Sequence, residues 1–322
     1  MNQIKDNPFP YSEDHKRYYT ISYYLKNRFG CKCAKIPLDA GFTCPNRDGS
    51  KAVGGCTFCS YQGSGDTILA KNSDLKTQFE AGLERIKNKW PSAKGIPYFQ
   101  SYSNTYAALQ TLKNLYTPYL EDESIPALCI ATRADCIEPA FIDFLSQYAA
   151  KKEIWIELGL QSFHDSTMDR LNRAHSSAEV FECVQALKKA GIKTCLHIIN
   201  GLPGESYEMM METARQVALS KADAIKIHML HIIANSQMGV DFQKEPFELM
   251  SLQEYVQLVC DQLEILPAEM IIERISSDGL ADQLIAPLWT RKKTIVANEI
   301  DKELFKRGSY QSKYFPAKTS YI

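Results

Sequence analysis

From residue 73 onward the chain alternates amphipathic stretches of helical period with short apolar runs, and this alternation limits its fold more than any other feature. "SDLKTQFEAGLERIKNKW" (73–90) has helical spacing, with Asp74 and Glu80 early and Arg85, Lys87 and Lys89 late, as the helix dipole favours. "GIPYFQ" then reads as a strand and "TYAALQTLKNLYTPYL" as the next helix. The cycle repeats through "IPALCIATR", "EPAFIDFLSQYAAKK", "EIWIELGLQ", "SSAEVFECVQALKKAG", "KTCLHIINGLPGE", "SYEMMMETARQVALSKA" and "DAIKIHMLHII". Serine caps and Gly191 mark helix boundaries. With a first strand near "CKCAKIPL", there are six βα units between residue 31 and about residue 232. Strands joined by helices of this length imply right-handed crossovers and a parallel sheet, hence a partial barrel or a doubly wound sheet.

Either architecture gathers its chemistry at the C-terminal ends of the strands. The segments expected there are a cysteine-bearing loop, "SYSNTY", "TRADC", "GLQSF", "INGLPGE" and "HMLH". Residues 235–251 are the best junction to a smaller C-terminal part, which divides the chain into an N-terminal segment (1–30), a barrel (31–235) and a C-terminal subdomain (236–322). The 322 residues are 45% hydrophobic and 23% charged, enough for a large core. The net charge of −1 excludes a global attraction to nucleic acid or anionic lipid, so such binding would need a local patch. The N-terminal sequence has no apolar leader and no stretch suits a membrane span, so a cytoplasmic location and no membrane partner are expected.

"DAGFTCPNRDGSKAVGGCTFCS" (39–60) holds Cys44, Cys56 and Cys59 in a loop rich in glycine, proline and aspartate, where thiols have no packing role. In a reducing compartment such cysteines point to a metal or cluster rather than to disulfides. A structural zinc site needs a fourth ligand, for which Cys31 and Cys33 are the candidates, although both lie on one face of an expected strand. Three thiolates on a 4Fe–4S cluster instead leave one iron open to a substrate or cofactor. Cys129, Cys136, Cys183, Cys195 and Cys260 stand in apolar or helical contexts and read as core.

A three-cysteine loop after the first strand of a (β/α)6 partial barrel resembles the radical S-adenosylmethionine superfamily. More narrowly, "KIPLDAGFTCPNRDG" with "GGCTFCS" is similar to the group that includes the YtqA and YhcC proteins, relatives of the radical domain of the Elongator catalytic subunit. The C-x11-C-x2-C spacing departs from the commoner C-x3-C-x2-C and is the form expected in that group. "YFQSYSNTYA", "ATRADCI", "ELGLQSF", "LNRAHS", "HIINGLPGES", "KIHMLHI" and "LIAPLW" extend the likeness over most of the chain. The resemblance implies an α/β partial (β/α)6 barrel with a small C-terminal α+β extension. It also implies that a 4Fe–4S cluster on Cys44, Cys56 and Cys59 holds S-adenosylmethionine and generates a deoxyadenosyl radical. By the same resemblance Gln161 and Arg173 hold the methionine end of the cofactor, Glu157 its ribose or amine, and the loop with Gly201 and Gly204 its adenosine. Relatives often carry aspartate at the position of His197, so a ribose contact from this histidine is a departure from the pattern.

Asn104, Arg133 and Asp135 are expected on the substrate side, with Tyr106, His228 and His231 as candidate catalytic groups. "HKRYYTISYYLKNRFG" (15–30) interleaves tyrosines with Lys16, Arg17, Lys26 and Arg28, and residues 291–318 carry eight Lys or Arg against three acids. Basic side chains among aromatic rings suit single-stranded RNA. The resemblance implies a tRNA wobble uridine as substrate, its carboxymethylaminomethyl group converted to aminomethyl. It further implies a flavodoxin or ferredoxin as electron donor and a partner methyltransferase. A radical enzyme with a small-molecule or protein substrate, and a non-catalytic metal protein binding RNA or a partner, are the competing expectations.

Overall fold

The computed structural model describes residue 9, residues 16–61, residue 63, residues 68–277 and residues 282–315. The first part of the N-terminal segment and the end of the basic tail, Lys318 included, lie outside the described residues. The elements in chain order are α1 (Ile21–Phe29), β1 (Cys33–Leu38), α2 (Leu75–Lys87), β2 (Lys94–Phe99), α3 (Leu109–Glu121), β3 (Ala127–Thr132), α4 (Pro139–Ala149), β4 (Glu153–Gln161), α5 (Asp165–Arg170), α6 (Ser177–Lys189), β5 (Lys193–Asn200), α7 (Tyr207–Leu219), β6 (Ala224–Met229), β7 (Ile232–Ile233), α8 (Gln237–Lys244), α9 (Leu252–Ile265), β8 (Ile271–Arg274), β9 (Leu284–Ala286) and α10 (Lys293–Lys306). The helix starts follow the expected chemistry. Asp74 caps α2 by accepting from the Thr77 amide, and Ser176 caps α6 in a reciprocal box with Glu179.

β1 to β6 pair in sequence order, all parallel, and β8 adds a seventh parallel strand beside β6. The sheet curls into a half-barrel with helices outside, a partial radical-SAM-type barrel with a C-terminal extension. Leu128, Ile130, Ile156, Leu158, Leu196 and Ile225 pack outward on the helices, in a core shared with Phe141, Val184, Val217 and Val259. The seventh strand comes from the segment 236–322, which also supplies α9 and α10, packed on each other outside the sheet. The stretch expected as one strand at 223–233 is divided, because β7 leaves the barrel to pair antiparallel with β9.

The N-terminal segment takes a role different from the one its composition suggested. Leu25 of α1, with Tyr19, Ile21, Tyr24 and Phe29 around it, packs on Cys33, Ile96, Cys129, Trp155 and Cys195 inside the N-terminal end of the barrel. Tyr24 donates to Glu153 at 2.8 Å and meets Trp155 edge-on, while Arg28 pairs with Glu153 at 2.9 Å. Arg17 donates to the Ser309 carbonyl, and Lys16 pairs with Asp301. These rings and cations close the barrel floor, at the end opposite the expected site, where the RNA reading would have needed them free. Cys31 and Cys33 lie at this same end with their sulfurs 3.9 Å apart. Among the described residues no helix is long and apolar enough to cross a membrane.

Candidate active site

The eleven-residue interval between Cys44 and Cys56 is a folded excursion. Asp48 and Val53 pair in an antiparallel bridge, Gly49 turns the tip with φ +88°, and Gly54 and Gly55 bring the chain back with φ +85° and +83°. The Gly55 amide donates to Asn46 O at 2.7 Å, and the Cys59 amide to Cys56 O at 3.0 Å. The loop is fastened from outside by "LNRAH". Asn172, itself at φ +54°, donates to Val53 O and Gly55 O at 2.9 and 2.8 Å, and Asn46 returns bonds to Asn172 O and Arg173 O at 2.6 and 3.0 Å. The Thr57 amide donates to Leu171 O at 3.0 Å.

All three cysteines line one cavity of about 210 Å³ at the C-terminal end of the barrel. The Cys56 thiol is pulled down to about 5 by hydrogen bonding with Cys59, which outweighs its burial, and by the guanidiniums of Arg173 and Arg133. Cys59 moves up, as the partner that keeps its proton. On the same wall, Arg173 places Nη1 3.8 Å from Cys56 Sγ and donates from Nη2 to Gly159 O at 2.7 Å, and its buried Nε has no partner. Gly159 leaves no room for a side chain, since a Cβ there would stand 2.5 Å from Gln161 Nε2 and 2.8 Å from Arg173 Nη2. Arg133 also lines the wall, forked onto Asp135 at 2.8–2.9 Å and donating to Arg173 O at 2.9 Å.

The cavity floor is a layer of buried charge. Glu157, 1% exposed, accepts from Lys35 at 2.6 Å, Tyr98 at 2.7 Å and His197 at 2.8 Å, and pairs with Lys226. Lys35 also pairs with Glu273 at 2.6 Å, and Lys226 with Glu273 at 3.5 Å. Burial alone would raise the Glu157 carboxyl, but the ammoniums of Lys226 and Lys35, with His197, hold it well below the usual range. Burial pushes His197 down, helped by Lys226, and pushes His228 well down, helped by His197 and Arg274. Glu157, Cys195 and His197 are the one set of three potential metal ligands within 4.8 Å of one another among the described residues. Both Glu157 oxygens already hold an ammonium, so this set is an ion-pair site.

Cys44, Cys56, Cys59, Arg133, Glu157, Gln161, Arg173, His197 and His228 thus share one cavity. The other expected residues stand outside its lining. The Tyr106 hydroxyl bonds Ser50 at 2.7 Å, and Asn104 is buried, bracing Ser101 O and Ala131 O at 3.0 and 2.9 Å. Asp135 lies behind Arg133 and accepts Lys51 at 2.7 Å. His231 follows β6, and Gly201, at φ +88°, faces a separate small pocket by Met250 and Trp289. Lys35, Tyr98, Lys226 and Arg274 belong to the cavity or its floor and escaped the sequence reading. The available signal was a single lysine inside the apolar strands "CAKIPL" and "AIKIHM".

Residues 44–217 match the Radical SAM superfamily model, and residues 222–306 match the Radical_SAM C-terminal domain. This chain belongs to the radical SAM superfamily. It is similar to YtqA of Bacillus subtilis, with 46% identity over 97% of both chains. It is 25% identical to a Methanocaldococcus infernus tRNA uridine(34) acetyltransferase, over 56% of this chain and 34% of that protein. The solved structure of the Methanocaldococcus infernus Elp3 with an N-terminal deletion shares the fold, at TM-score 0.67 and 18% identity over 87% of this chain and 64% of that one. As a radical SAM enzyme the protein uses a 4Fe–4S cluster and S-adenosylmethionine, and the cavity suits both. Three thiols face it without converging on one point, as a cluster needs when each thiolate takes its own iron. The unpartnered Nε of Arg173, on the wall that Cys56 and Gly159 share, suits a carboxylate.

Proposed function

We propose that this radical SAM enzyme acts on a tRNA wobble uridine, converting its carboxymethylaminomethyl group to aminomethyl. Cys44, Cys56 and Cys59 would hold the cluster, and Arg173, Gln161 and Gly159 the methionine end of S-adenosylmethionine. Bound there, the two cofactors supply a 5′-deoxyadenosyl radical that removes a hydrogen atom. The target is the carbon between the amine and the carboxylate. Loss of that hydrogen atom and one further electron gives an imine, which water splits into the aminomethyl group and glyoxylate. Methionine and 5′-deoxyadenosine would be the other products, taking up the hydrogen atom and the further electron, so that atoms and electrons balance.

The observation carrying the enzymatic part is that the cysteine loop and the arginine wall meet at one open cavity. The RNA part is supported by the similarity to a protein named for uridine 34 of tRNA. A wobble base splayed out of the anticodon loop would enter at the strand ends. His197, which donates to Glu157, and His228, both pushed down by burial, would line the path of that base, and Arg133 would brace Arg173. A flavodoxin or ferredoxin would supply electrons, and a methyltransferase would consume the product. Anaerobic reconstitution should give about four irons per chain and cleavage of S-adenosylmethionine, and alanine at any of the three cysteines should abolish both. Mass spectrometry of tRNA nucleosides from a deletion strain should show carboxymethylaminomethyl-uridine accumulating. An unchanged profile sinks the tRNA assignment and leaves a small-molecule or protein substrate.

A further inference from the structure

The wall facing the cysteine loop is built by β5, β6 and β8, and its cations differ in how they are satisfied. Lys226 is neutralised by Glu157 and Glu273. Arg274 lines the same cavity, yet among the described residues no carboxylate lies within ion-pair distance of it and no hydrogen bond engages its guanidinium. Its orientation has a specific cause. In a regular strand Glu273 and Arg274 would face opposite sides of the sheet. Here the pairing of β8 with β6 slips by one residue, running from Ile225↔Ile272 to Lys226↔Arg274. Glu273 becomes the extra residue. It reaches inward to Lys35 with 2% of its side chain exposed, while Arg274 also turns to the cavity. A bulge beside a site is a device for re-aiming a side chain. His228, two residues beyond Lys226 on β6, lines the same wall, with its ring 5.3 Å from that of His197 and no protein hydrogen bond among the described residues.

Arg274 is the exposed end of β8 at this cavity, and with no acid on it among the described residues its guanidinium is open to an anion that enters there. The cofactor's carboxylate has Arg173 on the opposite wall, so a second anion is called for. We propose that Arg274, with His228 beside it, holds the carboxylate of the substrate. This rests on the substrate reading given above, because the carboxymethyl group to be removed carries that carboxylate. The planar fork of arginine matches the two carboxylate oxygens. Gripping the carboxylate at the far wall leaves the adjacent carbon facing back across the cavity toward the cluster wall.

The test uses reconstituted enzyme with S-adenosylmethionine bound and two anticodon stem-loop RNAs, carrying carboxymethylaminomethyl or aminomethyl at the wobble uridine. Calorimetry on the unaltered enzyme should show tighter binding of the carboxylated RNA by about tenfold or more, the size of a charge-assisted hydrogen bond. Arg274→Gln should bring the two RNAs to within about twofold, with iron content and melting temperature kept, and Arg274→Lys should recover part of the preference. A preference that survives Arg274→Gln overturns the proposal. Equal weakening of both RNAs assigns Arg274 to a phosphate and overturns the carboxylate site. If the enzyme binds neither RNA, the tRNA reading fails separately, and phenylglyoxal modification of Arg274, read by peptide mass spectrometry, decides the subsite. Protection by acetate but not by chloride sustains it, and no protection removes it.

Discussion

Gly159 shows how little space separates the groups on the cavity wall beside Cys56. The residue sits where β4 loses register with β5, and Gln161 beyond it is held at φ +66°. A methyl group at 159 would meet the ends of two flexible side chains, Gln161 and Arg173, and not backbone. Gly159→Ala should therefore leave the melting temperature within a few degrees and lower affinity for S-adenosylmethionine by about tenfold, the loss of roughly one charge-assisted bond. Equilibrium dialysis on the reconstituted enzyme reads this, and unchanged affinity would refute the assignment of Arg173 and Gln161. "ELGLQSF" and "LNRAH" drew attention in the sequence only through the family resemblance, and the structure brings Gln161 and Arg173 to one wall of the cavity. Lys35 and Lys226 were not marked. One lysine in an apolar strand looks like a solvated position until the sheet is curled and the lysine proves to point inside.

Among the elements, the seam between the first and last strands of the half-barrel is where the sequence was least informative. "MIIERI" makes only the four-residue β8, directly after the long α9, and its Glu–Arg end masks strand character. It is nevertheless the edge that faces β1. The N-terminal segment fills the gap. Thr20 bridges to Ile272, and the Ile272 amide donates to Tyr19 O at 2.7 Å. Composition could not show that Tyr19 and Tyr24 pack into the barrel end, because aromatic and basic residues serve equally as a plug or as an RNA surface. Across the seam, Lys35 of β1 holds Glu273 of β8. Lys35→Ala leaves Glu273 with Lys226 at 3.5 Å and strips one of the cations from Glu157. Leaving a buried carboxylate wholly unpaired costs about 3–5 kcal/mol, and with Lys226 still beside both acids urea denaturation should show a loss toward the lower end of that range. The double variant Lys35→Met with Glu273→Leu should recover much of it, since no unpaired acid then remains at the seam. Equal losses in both variants would mean that the ion pair is not what closes the barrel.

At the scale of the whole molecule, a net charge of −1 conceals a cavity lined by Arg47, Arg133, Arg173, Lys226 and Arg274, with Glu157 the carboxylate among its lining residues. Overall composition averages away such a local excess, which is why a chain of net charge −1 still carries the local patch that binding an anion would need. The same field sets the acid sensitivity of the fold. Burial, with Arg173 and Arg133, takes His175 down to about 3, and His197 and His228 are lowered as well. In the unfolded chain each returns to its ordinary value near 6.5. Below that pH the unfolded state binds more protons than the folded one, so stability is complete above pH 6.5 or so and falls as the pH drops toward the folded values. Each histidine that stays unprotonated contributes a slope approaching about 1.4 kcal/mol per pH unit. Glu157, held low by its ammoniums, adds a loss in the same direction at still lower pH. Urea denaturation between pH 7 and pH 5 should show this decline, and His175→Asn should flatten it by about one proton's worth whatever its effect on absolute stability. A slope that His175→Asn leaves unaltered would mean that this ring takes up its proton in the folded state, and that Arg133 and Arg173 do not impose their field on the wall behind the cysteines.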